Sequence, residues 1–171
     1  MSVARLPECA TQLFDERSAF LFLAQRANED WVHDALSVIQ GSKSGDRIGV
    51  APVAMFDAVT SDDLRQSLLS VNRRGAEDLL KLLAVGSFHL GPDASLREAN
   101  EVRDGCVRGI VRAVGEEVEF FTNHGHAEDG ADADFFASSF HFNSLSTVLY
   151  DVCLIAVSSQ YLLVAWRFED A

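Results

Sequence analysis

The chain has 171 residues, a formal net charge of −12 and a hydrophobic content of 48%. This length and composition are typical of a single globular domain spanning residues 1–171, and they exclude a disordered or fibrous chain. The acidic excess opposes binding to nucleic-acid phosphates and to anionic lipid, because both depend on lysine and arginine. We therefore expect no direct nucleic-acid partner and no membrane partner.

The acidic excess lies mainly in the C-terminal half. Residues 1–91 carry nine basic and twelve acidic side chains, whereas residues 92–171 carry five basic and fourteen acidic ones. From Ala113 to Trp166 the chain runs 54 residues without a lysine or arginine, yet it holds eight carboxylates there. The local field is negative, which favours a cationic partner such as a metal ion or a basic protein surface.

The cysteines give no sign of a disulfide framework or of a zinc site. Cys9, Cys106 and Cys153 are odd in number, far apart and without a C-x-x-C pair. We expect them to be reduced, which predicts a reducing compartment. The N-terminus lacks the pattern of a signal peptide. Together these features predict a cytoplasmic protein.

Helical periodicity dominates the first two thirds of the chain. The segment Glu8–Ala27 is apolar on most of its circumference, which predicts a helix that is buried or forms a homodimer interface. Further elements are predicted as a helix capped by Asn28, a loop from Gly41 to Gly49, a short helix from Pro52 to Val59, a helix from Thr60 or Ser61 to about Asn72, and a helix over Ala76–Val85.

The clearest predicted helix is Asp93–Val114. Its charged residues fall within one narrow arc and its apolar residues occupy the opposite side. Gly105 and Gly109 each weaken such a helix by about 1 kcal/mol relative to alanine. Gly115 is expected to end it.

After Gly115 the apolar period changes to two. Four strands are predicted, over Glu117–Asn123, Asp134–Phe142, Thr147–Val157 and Gln160–Phe168, with a hairpin around Ser158 and Ser159. The third strand is apolar on both faces and should be central. The predicted fold class is α+β, with a helical N-terminal two thirds packed on a C-terminal four-stranded antiparallel meander.

The loop between the first two predicted strands is rich in possible metal ligands. Its sequence, TNHGHAEDGADAD, offers His124, His126 and Asp129 for a divalent metal. A metal-dependent hydrolase is therefore one functional alternative. Without a metal the same segment is a solvated loop, and no other cofactor is expected.

Two further charged residues lie at apolar positions. Arg103 falls inside the apolar arc of the long helix, where it either holds an anionic ligand in a pocket between that helix and the sheet or extends its head to water. Asp151 shares a face with apolar strand residues. A three-residue hairpin loop would place it opposite Arg167 and form an ion pair, whereas a two-residue loop would place it opposite Trp166.

No nucleophile motif or phosphate loop is present in the sequence. The leading hypothesis is therefore a non-enzymatic binding protein whose acidic half engages a basic protein, as an immunity-type, antitoxin-type or nucleic-acid-mimicking inhibitor would. A small-ligand sensor using Arg103 and the metal-dependent hydrolase are the alternatives. The residues expected to contact the partner are Glu116, Glu117, Glu119, Glu128, Asp129, Asp132 and Asp134.

Overall fold

Six strands form one antiparallel sheet in the computed structural model, which describes residues 5–15, 17–49, 52–56, 59–85, 87–88, 90–148 and 150–169. Across the sheet the strand order is β2-β1-β6-β5-β4-β3. In chain order the strands are β1 (Ala19–Gln25), β2 (Asp46–Ile48), β3 (Leu69–Val71), β4 (Glu119–Thr122), β5 (Tyr150–Val157) and β6 (Tyr161–Glu169).

The middle of the sheet consists of β1, β6 and β5, whose residues are apolar on both faces. The β5–β6 hairpin closes where Val157 faces Leu162, as the sequence predicts for the turn at Ser158. The central position of β5, between β6 and β4, is also confirmed. A strand that is apolar on both sides must be covered on both sides, so helices have to lie above and below it.

The predicted arrangement of helices followed by a four-stranded meander is wrong, and β1 is the main reason. Among the described residues of the predicted helix Glu8–Ala27, only Cys9–Leu13 is helical, and Ala19–Gln25 forms a strand that pairs with β6 along its whole length. A run that is apolar around a helix is equally apolar on both faces of a strand, so periodicity alone does not distinguish them. Within this segment, Ala19 to Ala24 are buried in the sheet.

Three smaller corrections follow from the same sheet. The predicted loop Gly41–Gly49 contains β2, and the predicted helix ending near Asn72 stops early and gives way to β3. The predicted strand Asp134–Phe142 forms no strand and is reduced to an isolated bridge between His124 and Phe142. Strands are therefore spread over the whole chain instead of being confined to its C-terminal part.

The helices begin at the caps that the local sequence supplies. Asp30 caps the second helix in place of the predicted Asn28. Thr60 and Asp63 form a capping box, which confirms the predicted helix start. The bounds are α1 (Cys9–Leu13), α2 (Trp31–Ile39), α3 (Ser61–Ser67), α4 (Arg73–Val85) and α5 (Glu101–Val114), with short 3₁₀ helices η1 (Pro52–Met55), η2 (Ala94–Arg97) and η3 (Gly125–Asp132).

Two helix predictions fare differently. The predicted helix Ala76–Val85 is confirmed within α4, whereas the one from Pro52 to Val59 is represented by η1, and residues 57 and 58 lie outside the described residues. In the described part of the chain, no helix combines the length and the apolar character that crossing a bilayer requires.

The predicted long helix Asp93–Val114 is divided in two. Its first turn is η2, the chain then leaves helical conformation, and α5 begins after Asn100, whose side chain accepts a hydrogen bond from the Arg103 N–H at 3.0 Å. An asparagine cap starts a new helix because its oxygen replaces a missing backbone acceptor. Gly115 ends α5 with φ at 144°, as predicted.

The sheet separates two cores. Alternate strand residues such as Leu21, Leu154 and Ala165 point to one face, where α1, α4 and α5 pack. Their neighbours, such as Phe22 and Ile155, point to the other face, where α2 and α3 pack. The helices α4 and α5 therefore lie side by side on the same face of the sheet.

One disulfide contradicts the expectation that all three cysteines are reduced. Cys9 of α1 is bonded to Cys106 of α5, across 97 residues of sequence. A cross-link over a loop of this length stabilises the folded chain by about 4 to 5 kcal/mol in the chain-entropy account. Because disulfides persist mainly in oxidising compartments, the bond removes the support that unpaired cysteines gave to a cytoplasmic location. Cys153 is a free thiol buried on the opposite face of the sheet.

Asp151 is fully buried, but its partner differs from the predicted one. The register places Phe168 opposite Asp151 and Val152 opposite Arg167, so Asp151 and Arg167 point to opposite faces of the sheet. The observed register differs by one residue from the one that would pair Asp151 with Arg167. Because successive side chains of a strand point to opposite faces, this shift places the two residues on different sides of the sheet.

The carboxylate of Asp151 is held by several hydrogen-bond donors. It accepts from the Asn123 amide at 3.0 Å, from the hydroxyl of Ser144 at 3.0 Å and from the hydroxyl of Ser146 at 2.7 Å. The backbone N–H groups of Leu145 and Ser146 also donate to it. Asp151 therefore fastens the loop before β5 to the end of β4, and this structural role explains how its charge is tolerated.

Replacing Asp151 with asparagine should destabilise the protein by about 3 kcal/mol, because an N–H₂ group would then face buried donors. Urea unfolding followed by tryptophan fluorescence measures the change. The matched control is Asp129→Asn, at an exposed position, which should stay within about 0.5 kcal/mol of the wild type. Equal stabilities for the two variants would contradict this account of Asp151.

Alanine should change the stability of the protein in opposite directions at Gly75 of α4 and at Gly105 of α5. At Gly105 an added Cβ meets only the Arg108 guanidinium, at 3.8 Å, so Gly105→Ala should stabilise the protein by about 1 kcal/mol. At Gly75 the Cβ would overlap Val71 Cγ2 and lie 3.0 Å from the Phe135 ring, so Gly75→Ala should destabilise by about 1 to 3 kcal/mol. Thermal unfolding of both variants measures the change in stability. If both variants were stabilised, or both destabilised, the packing assigned to one of the two glycines would be refuted.

Candidate functional site

A groove of about 1080 Å³ opens between α4 and α5. Its remaining walls come from η2 on one side and from the end of η3 and the following residues on the other. We call it the α4–α5 groove. It is lined by residues 72–75, 77, 78 and 81, by residues 96–99, by residues 104, 107 and 108, and by residues 130–136.

The helical repeat places charged groups along both long walls of the groove. On α4, Arg74, Asp78 and Lys81 follow one another at spacings of three and four residues and share one face. On α5, Asp104 and Arg108 are four residues apart and share a face in the same way. The two polar faces meet because the apolar sides of both helices pack on the sheet.

The floor of the groove is apolar. Leu96, Val107 and Phe135 line it and are buried, with exposed fractions of 2%, 0% and 1%. A concave site that combines an apolar floor with a few convergent charges is the usual form of a ligand-binding site.

Lys81 lines the groove and lies between two carboxylates. Its Nζ is 3.6 Å from Asp78 and 3.4 Å from Asp104. Burial opposes ionisation of Asp104, but hydrogen bonds from the Asn100 N–H and the Arg103 guanidinium outweigh it, and the pKa of Asp104 is lowered. Asp104 is therefore well compensated.

Asp78 is not compensated to the same degree. Burial raises its pKa, the positive charges of Lys81 and Arg74 offset only part of this effect, and the negative charge of Asp134 adds to it. A positive charge near a buried carboxylate favours its ionised form. An added cation close to Asp78 would therefore stabilise the ionised form of this acid.

An ion pair crosses the rim of the groove. The Arg97 guanidinium, at the end of η2, donates to Asp134 Oδ2 at 2.8 Å. The second oxygen of Asp134 accepts the Phe136 N–H at 3.1 Å. The hydrogen bond from Arg97 is the main reason why the pKa of Asp134 is lowered.

The acids predicted to contact a partner fall into two groups at opposite ends of β4. Three of them precede β4 or begin it, namely Glu116, Glu117 and Glu119, and we call these the β4-start acids. The other four follow β4, namely Glu128, Asp129, Asp132 and Asp134, and we call these the η3 acids. Of these seven residues, Asp132 and Asp134 line the α4–α5 groove.

Cations from elsewhere in the chain approach both groups of acids. Arg73 of α4 donates to the Glu116 carbonyl at 3.1 Å, and Arg97 pairs with Asp134. The stretch from Ala113 to Trp166 contains no lysine or arginine, but in the folded protein arginines from other segments lie beside it.

His124 is packed among aromatic rings and has no exposed surface. Its ring stacks on Phe140 at a centroid distance of 4.7 Å and contacts Phe135 edge-on. Burial, with further contributions from His126 and His141, lowers the pKa of His124 to about 3. The ring is therefore neutral at physiological pH. Its Nδ1 accepts the His126 N–H at 3.2 Å, which assigns the ring proton to Nε2.

This packing argues against the metal ligand set His124, His126 and Asp129. The Nδ1 of His124 is already hydrogen-bonded, its Nε2 is buried, and the Nδ1 of His126 donates to the Asp134 carbonyl at 2.8 Å. Throughout the described ranges, no group of three or more histidine, cysteine, aspartate or glutamate side chains is arranged to hold a metal ion.

Arg103 has a structural role at the break before α5. Its guanidinium donates to the carbonyls of Ser95 and Glu98, at 3.3 and 2.7 Å, and pairs with Asp104 at 3.0 Å. These three contacts hold the guanidinium against the segment that precedes α5. The groove also lies between two helices, and not between a long helix and the sheet as predicted.

The sequence did not single out Asp78, Lys81 or Arg97. A signal was present for the first two, because the polar residues of α4 recur at spacings of three and four residues. The spacing does not show that this face lines a groove, since that depends on α5 and η3 packing beside it. No protein-family model, curated protein or solved structure matches the chain. Its function therefore has to be argued from the groove.

Substitutions at the two carboxylates beside Lys81 should have opposite effects on stability. Folding raises the pKa of Asp78, so ionised Asp78 costs stability at neutral pH, and Asp78→Asn should leave the unfolding midpoint unchanged or raise it. Folding lowers the pKa of Asp104, so ionised Asp104 stabilises the fold, and Asp104→Asn should destabilise it by about 1 to 2 kcal/mol.

Urea unfolding at pH 7 measures both effects. The measurement is repeated at a pH below the pKa values that the two carboxyls have in the folded and unfolded states. There the unfolding midpoints of the two variants should approach that of the wild type, because none of the three proteins is then charged at these positions. A loss of stability in Asp78→Asn equal to that in Asp104→Asn would show that Asp78 is as well compensated as Asp104.

Proposed function

We propose that the protein is a non-enzymatic binding protein whose α4–α5 groove receives a basic side chain of a partner protein. The observation that carries the proposal is Asp78, a partly buried carboxylate with a raised pKa in a groove with an apolar floor. A cation entering the groove would lie close to Asp78 and Asp134 and would relieve the repulsion between them. A charge pair with the partly buried Asp78 would contribute to affinity as well as to specificity.

The η3 acids supply the outer part of this proposed interface. Glu128, Asp129 and Asp132 are exposed, and Asp132 lines the groove. Exposed carboxylates at the mouth of a groove accelerate the approach of a basic partner, and added salt weakens that effect.

The partner proposed is a basic protein. A net charge of −12 suits a positively charged protein surface and opposes nucleic acid and anionic lipid. In its most specific form, the proposal is an inhibitor that neutralises a basic partner, as immunity-type, antitoxin-type and nucleic-acid-mimicking proteins do. The Cys9–Cys106 disulfide favours an oxidising compartment for this activity.

A peptide probe tests the groove directly. A fluorescein-labelled peptide of four Arg-Gly repeats should bind the wild type at pH 7.5 without reductant, with an affinity that falls between 20 and 150 mM NaCl. Asp78→Asn should weaken binding about tenfold, or about 1.4 kcal/mol, because it removes the carboxylate that is short of positive charge. Fluorescence anisotropy measures the dissociation constants.

Two double variants separate the groove from net charge. Asp129→Asn with Asp132→Asn removes two charges from the η3 acids, and Glu116→Gln with Glu117→Gln removes two from the β4-start acids. The first pair should weaken binding more than the second, and a peptide of four Glu-Gly repeats should not bind. Equal losses would assign binding to net charge alone, and failure of the Arg-Gly peptide to bind at 20 mM NaCl would refute the proposal.

A further inference from the structure

The rim of the α4–α5 groove already holds one guanidinium, that of Arg97. Its donor lies 2.8 Å from Asp134 Oδ2, and the two side chains are 55% and 47% exposed. Ion pairs exposed to this degree contribute little to stability, because water screens the two charges. The contact between Arg97 and Asp134 therefore opens at little cost.

Asp134 is fixed in position without the help of Arg97. Its Oδ1 accepts the Phe136 N–H at 3.1 Å, and its backbone carbonyl accepts the His126 Nδ1–H at 2.8 Å. If Arg97 left, Oδ2 would stay at the rim as a preorganised acceptor. Preorganised acceptors bind more tightly because no ordering cost is incurred on binding.

We propose that Arg97 is an internal placeholder for an arginine of the partner, whose guanidinium displaces Arg97 from Asp134 and extends towards Asp78. This inference rests on the proposed function. It adds that the residue bound is an arginine, and that the contact between Arg97 and Asp134 competes with its binding. The displaced Arg97 is free to turn to water, where an exposed arginine is well solvated.

Arginine fits this position better than lysine for two reasons. The groove already pairs a guanidinium with Asp134, and a planar fork with five N–H donors can contact two carboxylates at once. The apolar floor of Leu96, Val107 and Phe135 suits a flat, weakly hydrated cation more than a compact, strongly hydrated ammonium group.

Arg108 provides the matched control. It lines the same groove on α5 and forms no ion pair with any residue that the structure describes. Arg108→Gln removes the same charge from the same groove as Arg97→Gln does, but it leaves the contact between Arg97 and Asp134 in place. A difference in peptide affinity between the two variants therefore reflects the loss of the contact between Arg97 and Asp134, and not the change in net charge.

The experiment is a titration of ¹⁵N-labelled protein, without reductant, with two blocked peptides, acetyl-Gly-Arg-Gly-amide and acetyl-Gly-Lys-Gly-amide. Arg97→Gln should bind the arginine peptide about fivefold more tightly than the wild type, which corresponds to about 1 kcal/mol. Arg108→Gln should change the affinity less than twofold. The Phe136 amide resonance should shift on binding, because that N–H is bonded to Asp134.

Two further variants make the assignment specific. Arg97→Lys keeps the charge and should give a smaller gain than Arg97→Gln. Adding Asp134→Asn to Arg97→Gln should abolish the gain, because the vacated acceptor is then lost. Thermal unfolding of each variant confirms that it is folded before the titration.

The outcomes separate the inference from the proposed function. Equal gains in Arg97→Gln and Arg108→Gln, equal gains for the lysine and arginine peptides, or an unmoved Phe136 resonance would each overturn the placeholder. If the four-repeat Arg-Gly peptide still bound the wild type and was weakened by Asp78→Asn, the proposed function would survive that result. If neither that peptide nor the blocked arginine peptide bound the wild type or Arg97→Gln, both would be rejected.

Discussion

Burial of both faces of the β1–β6–β5 sheet is the constraint on which the rest of the structure depends. Three neighbouring strands with apolar residues on both sides cannot face water, so the chain must supply helices above and below them. Since α4 and α5 share one face, each presents its polar side outward next to the other. The α4–α5 groove is the space left between those polar sides, closed at the rim by η2 and the end of η3.

The groove also shows how a fold redistributes charge that looks one-sided in the sequence. Cations contributed by α4 and η2 come to lie beside the acids that follow α5. In the groove, Asp104 and Asp134 pair with Lys81 and Arg97, and burial raises the pKa of Asp78 despite the nearby charges of Lys81 and Arg74. The charge environment of each groove carboxylate therefore depends on its individual partners, and the net charge of the acidic stretch does not describe it.

Features set by neighbouring residues could be predicted from the sequence. The capping box of Thr60 and Asp63, the end of α5 at Gly115 and the β5–β6 hairpin depend on a few adjacent residues, and all three are confirmed. The strand β1 could not be predicted in the same way, because its apolar pattern suits a buried helix equally well and its pairing with β6 is about 140 residues distant.

The same distinction applies to the candidate site. The η3 acids were visible as a charged loop, whereas their relation to Asp78 and Arg97 required three separated segments to meet. Asp151 was correctly seen as a charge at a buried position, but its partners were missed because a one-residue shift in register decides which groups it contacts. The contacts of Arg103 depend on the helix break at Asn100.

The sheet has one more consequence, for the fidelity of cysteine pairing. Cys9 and Cys106 belong to the core on one face, and Cys153 lies in the core on the other, with burial holding the pKa of its thiol far above the ordinary value. Exchange between a thiol and a disulfide requires a thiolate in line with the S–S bond. Because a continuous layer of strands stands between them, the native bond is protected from reshuffling as long as the sheet is intact.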